Sequence, residues 1–207
     1  MATLELFFDC GSPWTYLAFA GIQPIAARHG VEITWKPILV GGVFNAVNKE
    51  VYENRANPNP LRWNYMRKDL ADWASAYGLE IGWPPVFPVN SVKAMRGAFV
   101  AEDRGLLVPY CTSVFEHYWG ALEDISQDDV LAKIVSGLGI DPAEFLAAIA
   151  LPATKDRLRA TTDELVARGG FGSPTIFVNG TDMYFGNDRL PLVDRALGLA
   201  LAGTHRA

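Results

Sequence analysis

The rhythm of apolar and polar positions changes along the chain, and each change marks an element. Residues 4–9 (LELFFD) form a short, nearly continuous apolar run, the pattern of a buried strand. The chain then turns through Cys10-Gly11 into Ser12-Pro13 and enters an apolar-rich stretch over residues 14–28. Serine as N-cap with proline at the first helical position is a strong helix start: the hydroxyl satisfies a free N–H of the first turn, and the N–H that proline lacks would have had no partner there. Gly30 ends the helix, and residues 31–38 (VEITWKPI) read as a second strand with partial alternation. Strand, helix, strand in this order predicts a parallel pair with a right-handed crossover.

After Leu39-Val40-Gly41-Gly42 the rhythm fades: residues 45–59 are polar, and Pro58 and Pro60 lead into a helical pattern over residues 61–77. Residues 83–90 (WPPVFPVN) carry too much proline for a helix or a central strand and predict an ordered loop or wall. From residue 91 to 168 the period is helical, broken near Gly105, over 120–126, over 137–142 and at Leu151-Pro152. That spacing predicts a block of about five helices. Strand character returns at residues 175–178, joined by Asn179-Gly180 to residues 182–185, and Asn-Gly between two such runs is a strong hairpin signal. A last helix over residues 189–201 closes the order βαβ, helical block, ββα. The fold class expected is therefore α/β: a thioredoxin-like core (residues 1–45 and 170–207) interrupted by an all-helical insertion (residues 46–169) that packs on the core and walls its site.

Composition removes several alternatives. With 207 residues, 50% of them hydrophobic, the chain can bury a substantial core without disulfides or metal. A net charge of −5 with interspersed signs gives no broad basic surface, so neither nucleic acid nor an anionic membrane is an expected partner. Met1-Ala2-Thr3-Leu4 runs straight into the first strand with no basic start or long apolar stretch, which predicts a soluble, cytoplasmic protein. Cys10 and Cys111 form no CxxC, and His29, His117 and His205 are scattered, so no disulfide framework and no metal site is expected. Cys10 reads as a small buried cysteine.

The chemistry is placed where the first strand meets the first helix. Redox proteins of the thioredoxin type carry CxxC there, because free N–H groups and the helix dipole stabilise a thiolate. Here the position holds Ser12-Pro13-Trp14-Thr15, which keeps the spacing and replaces both sulfurs by hydroxyls, so a dithiol cycle cannot run. Ser12 alone reads as a helix cap. A second motif, Phe171-Gly172-Ser173-Pro174-Thr175, puts Pro174 where this core has a cis proline opposite the helix N-terminus. The backbone before that proline can pair with an extended thiol peptide, and Ser12 can then donate a hydrogen bond to its thiolate.

These residues resemble the kappa-class glutathione transferases and, more closely, the 2-hydroxychromene-2-carboxylate isomerases, which share a DsbA-like arrangement. The resemblance covers nearly the whole chain: FFDCGSPWTYLA at the start, GGVFN after the second strand, PLRWNYMRKDL, the FPVNS loop, and GGFGSPTIFVNG with YFGNDRL at the end. It implies glutathione as cofactor, a homodimer, a small aromatic carboxylate as substrate, and Ser12 as the catalytic residue that activates the thiol. It implies further that the thiolate adds to the chromene carboxylate, the ring opens and rotates, and glutathione is regenerated with trans-o-hydroxybenzylidenepyruvate, a step in bacterial breakdown of naphthalene and related aromatics. Glutathione contacts carry over to Ser12, Ser173, Pro174, Gly186, Asn187 and Asp188, with Asp188 facing the γ-glutamyl ammonium. Asn45, Lys49, Arg62, Trp83 and Asn90 match the substrate side loosely, because residues 45–60 are rearranged against the family pattern and Arg62 stands where a lysine is common. Trp83 and Phe87 read first as core residues, with a pocket wall as the alternative.

Overall fold

The computed structural model describes residues 2–203, so His205 lies outside the described residues. The chain opens with β1 (Leu4–Phe8), α1 (Pro13–His29) and β2 (Ile33–Pro37). Three helices follow, α2 (Val40–Val47), α3 (Glu50–Ala56) and α4 (Pro60–Tyr77). Beyond the proline-rich loop lie α5 (Val92–Glu102) and α6 (Leu107–Phe115), the latter prolonged by a π-helical turn at Glu116–Gly120. Then come α7 (Asp128–Gly137), α8 (Pro142–Ala150) and α9 (Pro152–Ala167). The hairpin β3 (Thr175–Val178) and β4 (Asp182–Phe185) leads through a short 3₁₀ turn at Asn187–Arg189 into α10 (Leu190–Leu201).

The four strands form one sheet in the order β2-β1-β3-β4. β1 runs parallel to β2, with Leu4 opposite Ile33 and Phe8 opposite Pro37, and antiparallel to β3, with Leu4 opposite Val178. The hairpin turns through the three residues Asn179, Gly180 and Thr181, since Val178 pairs with Asp182, and Asn179 and Gly180 take positive φ values of 52° and 77°. β1 is central, and its side chains alternate between two buried faces. Leu4, Leu6 and Phe8 pack with Phe19 and Ile22 of α1 and with Met95, Phe115 and Trp119 of the helical block in one continuous hydrophobic cluster. Phe7 points the other way, to Ile38, Val43, Leu165 and Phe177. The same face takes Glu5, whose carboxylate holds Arg168 at 2.6 Å while that guanidinium lies 3.9 Å from the Phe177 ring centroid. This two-sided burial explains the near-continuous apolar run.

The helix breaks expected between residues 91 and 168 fall where the chain turns, but the segment around residues 40–56 corrects the sequence reading. Its sequence reads as polar chain after a glycine pair, and it forms α2 and α3. Their apolar signal is faint because they bury almost nothing: only Val43 in α2 and no residue in α3. No helix among the described residues is long and apolar enough to cross a membrane.

Candidate active site

β1 delivers the chain to a buried carboxylate, Asp9, which organises the turn into α1. One oxygen accepts the Gly11 N–H at 2.8 Å; the other accepts the Val40 N–H at 2.8 Å and the Ser91 hydroxyl at 3.0 Å. Asp9 thereby ties the start of α1 to the start of α2 and to the residue before α5. Burial pushes its carboxyl pKa up, and the hydrogen bonds from Val40, Gly11 and Ser91 pull against that rise.

Ser12 follows in extended conformation, with φ −107° and ψ 124°, as the N-cap of α1. Its N–H donates to the Asp9 carbonyl at 3.1 Å, and its Oγ accepts the Thr15 N–H at 3.3 Å. That same hydroxyl donates to the Ser173 carbonyl at 3.2 Å, across 161 positions of sequence. The Ser173–Pro174 peptide is cis, and Pro174 accepts the Gly186 N–H at 3.1 Å. Ser173 turns its side chain to the back of the site, where Oγ takes the Asp9 N–H at 3.0 Å and pairs with Thr15 Oγ1 at 2.7 Å. Thr15, at the second cysteine position of the CxxC pattern, thus belongs to the scaffold. Among the described residues the N–H groups of Trp14 and Ser173 have no hydrogen-bond partner, so both are available beside the Ser12 hydroxyl.

Cys10 is fully buried and faces the helical block: its N–H meets Met95 Sδ at 3.2 Å and its carbonyl accepts Trp119 Nε1 at 2.9 Å. Burial pushes its thiol pKa well up, reinforced by the adjacent Cys111 thiol. The fold brings the two cysteines together, which their separation in sequence did not reveal.

Above Ser12 opens a cavity of about 620 Å³. Gly11, Ser12, Pro13, Gly172 and Ser173 form its floor, and the rings of Trp14, Phe44, Trp63, Trp83, Phe87 and Phe185 stand in its walls. Trp83 packs on Phe87 and on Trp63 with ring centroids 4.6 Å apart in both pairs, and Phe185 packs on Phe171 at 4.5 Å. The Phe87–Pro88 peptide is cis, a feature the proline-rich loop did not announce by position.

Of the residues singled out in the sequence, Ser12, Ser173, Trp83 and Phe87 meet at this cavity, with Pro174 buried behind Ser173. Gly186, Asn187 and Asp188 follow directly on the cavity residue Phe185. Gly186 has φ 100° and ψ 156°, a conformation for glycine, and a Cβ there would sit 2.7 Å from the Asp188 carboxylate. Asn187 is buried with its Nδ2 unpaired, whereas Asp188 is half-exposed and pairs with Arg189 at 3.2 Å. The other four lie outside the cavity lining. Asn45 accepts the Tyr52 hydroxyl at 2.9 Å, Asn90 accepts the Val92 N–H at 3.2 Å, and Lys49 and Arg62 are exposed at the starts of α3 and α4.

In their place the wall carries Val40 and Phe44 from α2, Asn48 just past its end, and Val51, Asn54 and Arg55 from α3. Their spacing of three and four residues is the signal that could have found them: a helical face that looks into a cavity instead of a core. Asn48 fixes this wall to the floor through Nδ2 and the Phe171 carbonyl at 3.2 Å. No cluster of His, Cys, Asp and Glu among the described residues could hold a metal ion.

A thioredoxin core split by helices, a cis proline opposite a helix N-terminus and a hydroxyl in the cysteine position define the class, and the chain belongs to the DsbA-like thioredoxin domain family, whose pattern matches residues 3–198. It is 31% identical over 199 residues to the 2-hydroxychromene-2-carboxylate isomerase of Pseudomonas putida, covering 94% of each chain. It is 28% identical over 209 residues to glutathione S-transferase kappa 1 of Homo sapiens, covering 95% of this chain and 91% of that one. A solved 2-hydroxychromene-2-carboxylate isomerase superposes with a TM-score of 0.82 over 99% of this chain and 100% of that one, at 26% identity.

Proposed function

We propose that this chain is a glutathione-dependent isomerase that interconverts 2-hydroxychromene-2-carboxylate and trans-o-hydroxybenzylidenepyruvate, working as a homodimer in bacterial breakdown of aromatic hydrocarbons. The observation that carries the reading is the Ser12 hydroxyl at a helix N-terminus, 3.2 Å from the Ser173 carbonyl on the floor of an aromatic-walled cavity. The isomerase and kappa-transferase relatives support it.

The residues fit glutathione. Ser173 keeps an unpaired N–H and a carbonyl with a second lone pair, the two groups that an extended cysteinyl unit pairs with. Asp188, after β4, would meet the γ-glutamyl ammonium, with free N–H groups before α10 for the neighbouring carboxylate. When bound, glutathione supplies a thiolate that adds reversibly to the conjugated substrate and is released unchanged.

The protein's part is to hold that sulfur ionised. A thiol of pKa about 8.5 is ionised to only a few per cent near neutral pH, and lowering it by about two units takes roughly 2.7 kcal/mol of preference for the anion. Ser12 supplies much of this by turning its proton from the Ser173 carbonyl to the sulfur, since a hydrogen bond to a charged group contributes about 1.5–3 kcal/mol. The Trp14 N–H and the end of α1 add about 0.3–1 kcal/mol. Ser12 stays neutral throughout. The aromatic walls exclude water, which strengthens these interactions and suits a planar substrate.

The test is to mix the protein with glutathione and 2-hydroxychromene-2-carboxylate, following substrate by absorbance and free thiol by titration. The expected outcome is isomerisation at constant thiol. Loss of one thiol per substrate consumed overturns the reading in favour of a conjugating transferase.

A further inference from the structure

Several cations of this protein are held by carboxylates. Arg168 is held by Glu5 and Glu164, Arg157 by Glu102 and Asp103, and Arg28 by Asp194. Arg55 differs. Among the described residues it is the single charged side chain lining the cavity above Ser12, and it has no ion pair and no hydrogen bond. Its guanidinium rests between two rings, 5.4 Å from the Phe44 centroid and 5.5 Å from that of Phe87. Ring faces attract the cation and hold its position, and they leave its planar N–H fork for a further partner. The groups that bear on its charge are the hydroxyls of Tyr52 and Tyr118, and burial of the guanidinium lowers its pKa from the usual value while leaving it a cation. The residue is nonetheless open to solvent at the cavity mouth, so a ligand can reach it.

A cation fixed by aromatic rings, facing an apolar cavity with no carboxylate of its own, is complementary to an anionic group on a flat apolar body. We propose that Arg55 is the carboxylate-recognising residue of this site, binding the carboxylate of an aromatic substrate through its fork while the substrate's ring lies among Trp63, Trp83 and Phe87. This assignment rests on the reading of the cavity as the active site. It places specificity on α3, a helix with no buried residue of its own. A carboxylate can also come from the glycyl end of glutathione, and the experiment separates the two sources.

The probes are 2-naphthoate and 2-naphthol, the same ring with and without the carboxylate, titrated into the glutathione-loaded protein and read by quenching of tryptophan fluorescence. The variants are Arg55→Met and Arg55→Lys. Wild type is expected to prefer naphthoate by about ten-fold or more, the range of a hydrogen-bonded charge pair near solvent. Arg55→Met loses that preference while naphthol binding shifts less than about two-fold, and Arg55→Lys, a point charge without the fork, keeps part of it. Naphthoate bound equally well by wild type and Arg55→Met overturns the assignment. So does a variant that weakens glutathione and leaves naphthoate unchanged, because the cation then serves the glycyl end. These readings are independent of turnover: a protein that discriminates naphthoate through Arg55 yet does not isomerise the chromene supports the assignment and counts against the isomerase alone.

Discussion

Two helices of this protein begin with the same local grammar and come to different ends. α1 starts Ser12-Pro13 and α4 starts Asn59-Pro60, each with a polar N-cap in extended conformation and proline at the first helical position. Both caps satisfy first-turn donors: Ser12 Oγ accepts from Thr15, and Asn59 Oδ1 accepts from Leu61 at 3.0 Å and Arg62 at 3.3 Å. The difference lies beyond the helix. Ser12 has a proton left to give and a cis-proline backbone 161 positions away to give it to, whereas Asn59 is exposed and serves only its own helix. Capping chemistry is local, and it becomes a site only where the sheet brings a second segment across from it. Three substitutions probe that contrast.

Ser12→Ala should have the largest effect. If the hydroxyl holds a developing thiolate, its removal should lower kcat by about 10²–10³-fold, the range for losing one donor to a reacting anion. The same change deletes a cap, at a cost of about 1 kcal/mol in stability. Steady-state kinetics beside urea denaturation separates the two losses. A variant destabilised to that extent with kcat intact would reduce Ser12 to the status of Asn59, and the comparison would collapse.

Asp9→Asn tests what makes the α1 start rigid. Asparagine offers one acceptor oxygen where the carboxylate serves Gly11 through one and Val40 and Ser91 through the other. At least one buried donor then faces an amide group, for a loss of about 1–3 kcal/mol. The pH dependence has a fixed sign. Burial raises the Asp9 pKa above its unfolded value, so the folded chain retains a proton that the unfolded chain releases from about pH 4 upward. The stability this contributes is complete below that pH and is lost as pH rises through the raised value. Asparagine does not titrate, so the gap between wild type and variant should narrow as pH rises across that window. Denaturation midpoints compared at the two ends of it check the sign, and a gap that widens contradicts it.

The legibility of the molecule follows the same division. β1, α1 and the β3–β4 hairpin were readable because their signals are short-range and strong: a serine-proline start, a two-sided apolar strand, and an Asn-Gly turn with positive φ. Pro174 was readable as the partner of Ser12 from its place in the core, since Ser173-Pro174 immediately precedes β3. The cavity wall was not. α2 and α3 bury one side chain between them, so the hydrophobic stripe that normally announces a helix is missing, and Gly41-Gly42 argues against one. Phe44 and Arg55 on their inward face, and Asn48 between them, look like solvated residues until α4 and the proline-rich loop close the cavity around them. The sequence points instead to Lys49, Arg62 and Asn90, which carry suitable chemistry in the right stretch of chain but lie outside the lining. A segment that folds against a ligand space leaves a composition that reads as loop.

Asn59→Ala, the counterpart of Ser12→Ala, should have the smallest effect. Removing an exposed cap costs about 0.5–1 kcal/mol, the lower part of the range, because water reaches the freed N–H groups of Leu61 and Arg62. The rest of α4 should persist, since Leu70 and Ala74 anchor it against Leu17 of α1, well beyond the frayed turn. Fraying reaches Trp63, one turn inside the helix and part of the cavity wall, so substrate binding should loosen modestly. A change of about two- to three-fold in KM with kcat unchanged is the expected signature, because a wall residue contributes equally to ground and transition states. Asn59→Asp, which keeps an acceptor oxygen at the cap, should restore both stability and KM. A fall in kcat comparable to that of Ser12→Ala would mean that the α4 start takes part in the chemistry, and that the partner across the sheet is not what separates a cap from a site.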